Sequence, residues 1–165
     1  MQQAAVTAGR ARVADFDSLV GPHLEAAYRV ALAILRDPDE ARDAVQEAAF
    51  KAWRRLGQLR GESAARAWFL AIVANQCRST RRARWWSVVR MPDVESTAAG
   101  SDVERSDIAR GLGRLPADDR LALFLHFYLD MPFDEVGGVL GLSAAGAKTR
   151  VYRAAKKLRP DLEMT

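Results

Sequence analysis

Apolar positions along this chain recur at helical spacing in two blocks, separated by a polar stretch around 89–102. In the first block Phe16, Leu19 and Val20 are followed by Leu24, Ala27, Tyr28, Ala31, Leu32 and Leu35, which predicts one or two helices broken near Gly21 and Pro22. Asp37-Pro38-Asp39-Glu40 reads as another helix start, with Asp37 as cap, Pro38 in the first turn and Glu40 closing a capping box. That helix is expected over 37–56, and a loop through Gly61-Glu62-Ser63 leads to a long helix over 64–84. The stretch 91–101 carries Pro92, Gly100 and small polar residues, with Asp93, Glu95, Asp102 and Glu104 close by: the composition of an extended acidic linker. The second block predicts helices around 103–112, from Pro116 to 128, over 133–140 and over 143–158. No stretch alternates as a strand. The expectation is an all-α chain with a flexible tail over 1–14, a helical domain over 15–88, an acidic flexible linker over 89–102 and a second helical domain over 103–165.

The last two helices carry the sharpest pattern. Wound as a helix, 143–158 gathers Ala147, Val151, Ala154 and Leu158 on one side and Thr149, Tyr152, Arg153 and Lys156 on the other. No acid interrupts the chain between Glu135 and Asp161. Gly141 suits the left-handed position that ends the preceding helix, and Ser143 is a good cap for the next. A short apolar helix, a glycine turn and a helix with a cationic, hydrogen-bonding face form a helix-turn-helix, whose second helix fits a DNA major groove. Gly137, Gly138 and Gly146 stand inside these helices, where each costs about 1 kcal/mol against alanine if exposed.

Composition narrows the class. At 165 residues and 49% hydrophobic, the chain buries one modest core or two small ones. The net charge of +4 is mild, but no acid lies between Glu62 and Asp93, where Arg66, Arg78, Arg81, Arg82, Arg84 and Arg90 all fall. Together with the basic run from Lys148 to Arg159, this makes two separated cationic surfaces, suited to phosphate backbones or, more simply, to solvent. A single cysteine excludes an internal disulfide, and His23 and His126 stand apart, so no zinc-ligand spacing exists and no cofactor is implied. No apolar run is long enough for a membrane span or a signal peptide, and a cytoplasmic location is the default expectation.

Two further helix faces carry candidate chemistry. In 37–56, Ala41, Val45, Ala48, Ala52 and Leu56 form the stripe to be buried, while Phe50 projects beside Asp43, Gln46 and Glu47, with Trp53 at the margin. Two readings of Phe50 are open: an aromatic anchor in a protein-docking face, or a residue packed under the first helix. In 64–84, Phe69, Leu70, Val73 and Cys77 form the core side, and Cys77 reads as a small buried hydrophobe. A second stripe of Trp68, Ile72, Asn75, Ser79 and Arg82 suits unpaired nucleic acid, since an aromatic stacks, an amide reads a base edge and a guanidinium holds a phosphate. Trp68 reads equally as core, and Trp85-Trp86 either stacks on bases or covers an apolar edge.

Asp37-x-x-Glu40-Ala41-x-Asp43-x-Val45-Gln46-Glu47-x-x-Phe50-x-x-Trp53, Arg60-Gly61-Glu62-Ser63, Ala67-Trp68-Phe69-x-x-Ile72-x-x-Asn75, Leu115-Pro116, Gly141-Leu142-Ser143 and Lys148-x-Arg150-Val151-x-Arg153-Ala154 occur in this order. In order and spacing they resemble the bacterial sigma-70 superfamily, specifically the extracytoplasmic-function group, over about 15–159. The resemblance implies a factor that binds core RNA polymerase through Asp43, Gln46, Glu47, Phe50 and Trp53 and directs it to promoter DNA. It implies contacts to the −10 element from Trp68, Asn75, Arg78, Ser79, Arg81 and Arg82. Asn75 and Ser79 would meet an extruded base. It implies that Lys148, Thr149, Arg150, Tyr152, Arg153 and Lys156 serve the −35 element. It further implies an anti-sigma partner, control by a stress or envelope signal, no insertion into a membrane and no catalysis of its own. A stand-alone helix-turn-helix regulator is the alternative. For an enzyme the sequence offers no nucleophile–base pair or phosphate loop, and Asp118-Asp119 read as first-turn acids at a helix N-terminus.

Overall fold

The computed structural model describes residues 2–90 and 107–163, and every regular element among them is helical. Helix α1 (Gln2–Val20) leads through a single 3-10 turn (Gly21–His23) into α2 (Leu24–Leu35), where the glycine–proline pair predicts a break. The stretch 2–14, expected as a tail, is helical. Its alanines favour helix and no proline interrupts them, while the lack of an apolar stripe hides the helix from periodicity. Of the expected linker, 89 and 90 continue a helix, and 91–102 lie outside the described residues, as do 103–106 of the helix expected next.

Helix α2 buries Ala27, Val30, Ala31, Ile34 and Leu35, one stripe at helical spacing, and ends on Arg36 in the left-handed conformation (φ 58°). One residue later Asp37 starts α3 (Pro38–Arg54), accepting hydrogen bonds from the Asp39 and Glu40 amides at 2.9 Å each. Glu40 also reaches across the fold, where its carboxylate accepts from Arg84 at 2.7 Å. Asp37→Ala is expected to lower stability by about 1 kcal/mol, read as a shift in the urea midpoint, because two orphan amides lose their acceptor. The buried side of α3 is almost all alanine (Ala41, Ala44, Ala48, Ala52), so it lies close against α2 and the long α4 (Ala65–Arg90). Helix α4 contributes Phe69, Leu70, Val73, Ala74 and Cys77, all fully buried.

The second half begins with α5 (Asp107–Arg114) and α6 (Ala117–Leu123), which runs into five π-helical residues (Phe124–Tyr128) closed by the Leu129 amide on the Phe124 carbonyl at 3.1 Å. Then come α7 (Phe133–Leu140), the left-handed Gly141 (φ 70°) and α8 (Ala144–Glu163). Ser143 caps α8 by accepting from the Gly146 amide at 3.1 Å, as its residue type predicts. Gly137 explains itself here. A side chain would place Cβ 2.5 Å from the Leu142 carbonyl oxygen, so only glycine lets the turn fold back onto α7. The two halves pack together, α7 against α4 and α6 against α2, and their buried residues join in one cluster.

Candidate polymerase and promoter interfaces

The outward face of α3 answers the question that periodicity leaves open. Asp43, Gln46, Glu47 and Phe50 are all exposed, Phe50 by 57%, and the Arg54 guanidinium lies 4.7 Å over its ring. Phe50 therefore does not pack under the first helix. Trp53 does: Phe16 of α1 meets it edge-on at 5.4 Å, and Arg12 sits 5.2 Å above it and donates to its carbonyl at 3.3 Å. The result is a ridge of three polar groups and two aromatic rings, one exposed beneath Arg54 and one braced from behind. Arg12 and Phe16 escape the sequence reading because 1–14 reads there as a tail and Phe16 as mere core.

On α4 the core side and the second stripe separate as expected. Burial pushes the Cys77 thiol up to about 12, which leaves it inert at neutral pH. Trp68 is half-buried against the core and Ile72 is buried, so these two support the stripe. Asn75 and Ser79 are exposed and line a cleft of about 240 Å³ whose other walls are Lys51, Arg55, Ile72 and Gln76. Lys51 donates to the Gln76 amide oxygen, which leaves the amide nitrogen of Gln76 as a donor. Spacing along one helix cannot reveal Lys51 and Arg55, because they reach the cleft from the last turn of α3 and the residue that caps it. Arg81, Arg82, Trp85 and Trp86 all stand exposed at the far end of α4, so the tryptophan pair covers no apolar edge among the described residues. Arg78 is already engaged, donating to Asn75 at 3.0 Å and to Asp118 at 3.1 Å.

On α8 the seam predicted from the sequence is buried: Ala147, Val151 and Ala154 are inaccessible, and Leu158 packs at the edge. Lys148, Thr149, Tyr152, Arg153 and Lys156 are exposed. The Thr149 hydroxyl donates to the Ala145 carbonyl at 3.0 Å, leaving its oxygen as an acceptor. Arg150 departs from this row. Half-buried, it lies 3.7 Å from Asp118 and 3.8 Å from Asp119, and Lys157 binds Asp119 at 2.7 Å. The two acids at the start of α6 thus act as counter-ions to basic side chains, a role beyond that of first-turn acids. No helix among the described residues is long and apolar enough to cross a membrane.

Residues 19–87 match the family model of Sigma-70 region 2, and residues 105–158 match that of Sigma-70, region 4. The ECF RNA polymerase sigma factor SigM of Mycobacterium tuberculosis is 30% identical over 146 residues, covering 87% of this chain and 74% of the relative. The chain belongs to the sigma-70 family. Another relative, the ECF RNA polymerase sigma factor SigL of the same organism, is 29% identical over 166 residues, covering 94% of this chain and 93% of the relative. Among solved structures, the sigma factor RpoE of Bartonella quintana, in complex with the anti-sigma factor NepR, aligns with a TM-score of 0.75 at 26% identity over 90% of this chain and 97% of that one. The chain is thus an extracytoplasmic-function RNA polymerase sigma factor, and the stand-alone regulator is not favoured. Region 2 takes in α2, α3 and most of α4, and region 4 holds α5, α6, α7 and most of α8, with the helix-turn-helix.

Proposed function

We propose that the three faces divide the work of promoter-dependent initiation. The α3 ridge of Asp43, Gln46, Glu47, Phe50 and Trp53 docks on core RNA polymerase, with Phe50 as the anchor and the polar residues as its rim. The α4 face serves the −10 element. An unstacked base enters the cleft between α3 and α4, where Asn75, Ser79 and the amide nitrogen of Gln76 meet its edge, and Arg78, Arg81 and Arg82 take phosphates. Trp68 stands behind this face as support. Helix α8 enters the −35 major groove, with Lys148, Thr149, Tyr152 and Arg153 toward base edges and Arg150 and Lys156 on backbone. The observation that carries this reading is the exposed Phe50 ringed by Asp43, Gln46 and Glu47 on a helix whose opposite side is already satisfied by buried alanines.

The protein forms and breaks no bonds in this scheme; the polymerase does the chemistry. It works in the cytoplasm, where polymerase and chromosome meet. An anti-sigma partner, of the kind that NepR is to the Bartonella quintana RpoE, holds it inactive until a stress or envelope signal arrives. Arg153→Ala tests the assignment of α8. The variant is expected to lose about 1–3 kcal/mol of discrimination at one or two −35 positions in a base-substitution series with reconstituted holoenzyme. A loss spread equally over all sequences would make Arg153 a phosphate contact instead.

A further inference from the structure

Helix α1 lies almost wholly outside the segment 19–87 that matches region 2, yet two of its side chains reach the α3 ridge. Arg12 and Phe16 stand four residues apart, on one face of α1, and both meet Trp53 near the end of α3. Phe16 approaches at 5.4 Å with an interplanar angle of 77°, the edge-to-face geometry that aromatic pairs favour. The Arg12 guanidinium makes two contacts at once. It covers the indole, 5.2 Å from the ring centroid, and its Nη2 donates to the Trp53 carbonyl at 3.3 Å. That carbonyl belongs to the last turn of α3, where backbone oxygens are short of helical partners and the helix carries its negative end, so a cation is favoured there. Little else holds the indole. One turn back on α3 stand Ala49, with only a methyl group, and Phe50, which is exposed beneath Arg54. Among the described residues Phe16 packs on the buried cluster and Trp53 does not, so the path from Trp53 to the core runs through Phe16.

We propose that α1 is a functional part of the polymerase interface, with Arg12 as the positioning residue that fixes the Trp53 indole before docking. The proposal rests on the reading of the α3 ridge as the docking face. A half-buried indole turns about two side-chain bonds and populates several staggered orientations. A partner that accepts one of them binds more weakly by the fraction in the others, and ordering a side chain at the moment of association opposes binding. Arg12 removes that ordering step in advance. Its planar group lies over the ring while its fork grips the backbone below, and both contacts come from a single side chain. Phe16 supplies the apolar stop at the ring edge and passes the restraint to the core.

The test is a double-mutant cycle in the full chain, read as the sigma concentration that gives half-maximal run-off transcription with a fixed amount of core polymerase. Arg12→Ala is expected to raise that concentration about fivefold and to keep the plateau, because an ordering cost falls on association and not on initiation once bound. Arg12 is exposed, so far-UV helicity should stay at the parent level. In a Trp53→Ala background there is no ring to position, and Arg12→Ala should change nothing further. A residue that merely stabilised α1 would cost the same in both backgrounds. With fluorotryptophan incorporated, the Trp53 fluorine resonance, assigned by its loss in Trp53→Phe, should move in Arg12→Ala while those of Trp68, Trp85 and Trp86 stay in place. An unchanged half-maximal concentration in Arg12→Ala, or an equal rise in both backgrounds, overturns the proposal and leaves the docking face standing. If Trp53→Ala by itself has no effect, Trp53 drops out of the docking face and the proposal falls with it.

Discussion

Phe50→Ala combined with Glu47→Ala is expected to abolish core-dependent run-off transcription at limiting sigma factor and to leave far-UV helicity unchanged. Both side chains are exposed, so removing them takes little from the folded state, within about 0.5 kcal/mol each. In the docked complex the position of Phe50 differs. An aromatic that fills a partner's pocket at the centre of an interface costs about 2 kcal/mol or more when truncated, and a rim carboxylate adds to it. Together, a loss of about 4 kcal/mol weakens association about a thousandfold, enough to empty the complex at working concentrations. Transcript at the unmodified level would remove the α3 ridge as the polymerase interface. Loss of transcript accompanied by loss of helicity would instead place Phe50 in the fold, which its exposure argues against.

Adjacent glycines in α7 are expected to respond to alanine with opposite signs. At Gly137 a Cβ would meet the Leu142 carbonyl oxygen at 2.5 Å and the Ser143 carbonyl group at 3.1 Å. These are backbone atoms of the turn and cannot rotate away, so the turn itself must shift. Gly137→Ala should therefore destabilise by about 2–3 kcal/mol, at the upper end of the cost of forcing one extra carbon into a packed site. At Gly138, one residue on, nothing lies within 4 Å, and the position is exposed. There the ordinary helix preference decides, and Gly138→Ala should stabilise by about 1 kcal/mol. Urea midpoints moving apart at a constant slope would check both. A like-signed change at the two positions would contradict the close approach of the turn. A destabilised Gly137→Ala should also lose −35 recognition, since this turn sets the angle at which α8 leaves α7.

Most of the fold was legible because it is written in side-chain types that act locally. Asp37 and Ser143 are short acceptors at helix starts, Gly141 takes a positive φ, and the stripes at Ala147, Val151 and Ala154 or Phe69, Val73 and Cys77 repeat at helical spacing. The same stripes located the exposed faces on α3, α4 and α8. Periodicity is blind to what lies across the fold. Two carboxylates at the start of α6 look like ordinary first-turn acids, and only the packed structure brings Arg78 and Arg150 to Asp118. Arg120 is a lone basic residue in a short helix, with no sequence sign that it enters the end of α2. Residues 2–14 lack an apolar stripe, so helix propensity alone marked them, and Arg12 at Trp53 was hidden with them. Gly137 looked like a weakness of the helix until the turn behind it was in place.

The most direct measurement is to sequence the 5′ ends of transcripts made on fragmented genomic DNA by core RNA polymerase with and without this chain. With the chain present, discrete start sites are expected, each preceded by a shared −10 element and a shared −35 element at fixed spacing, and absent from core alone. The same scatter of ends in both reactions would contradict the assignment.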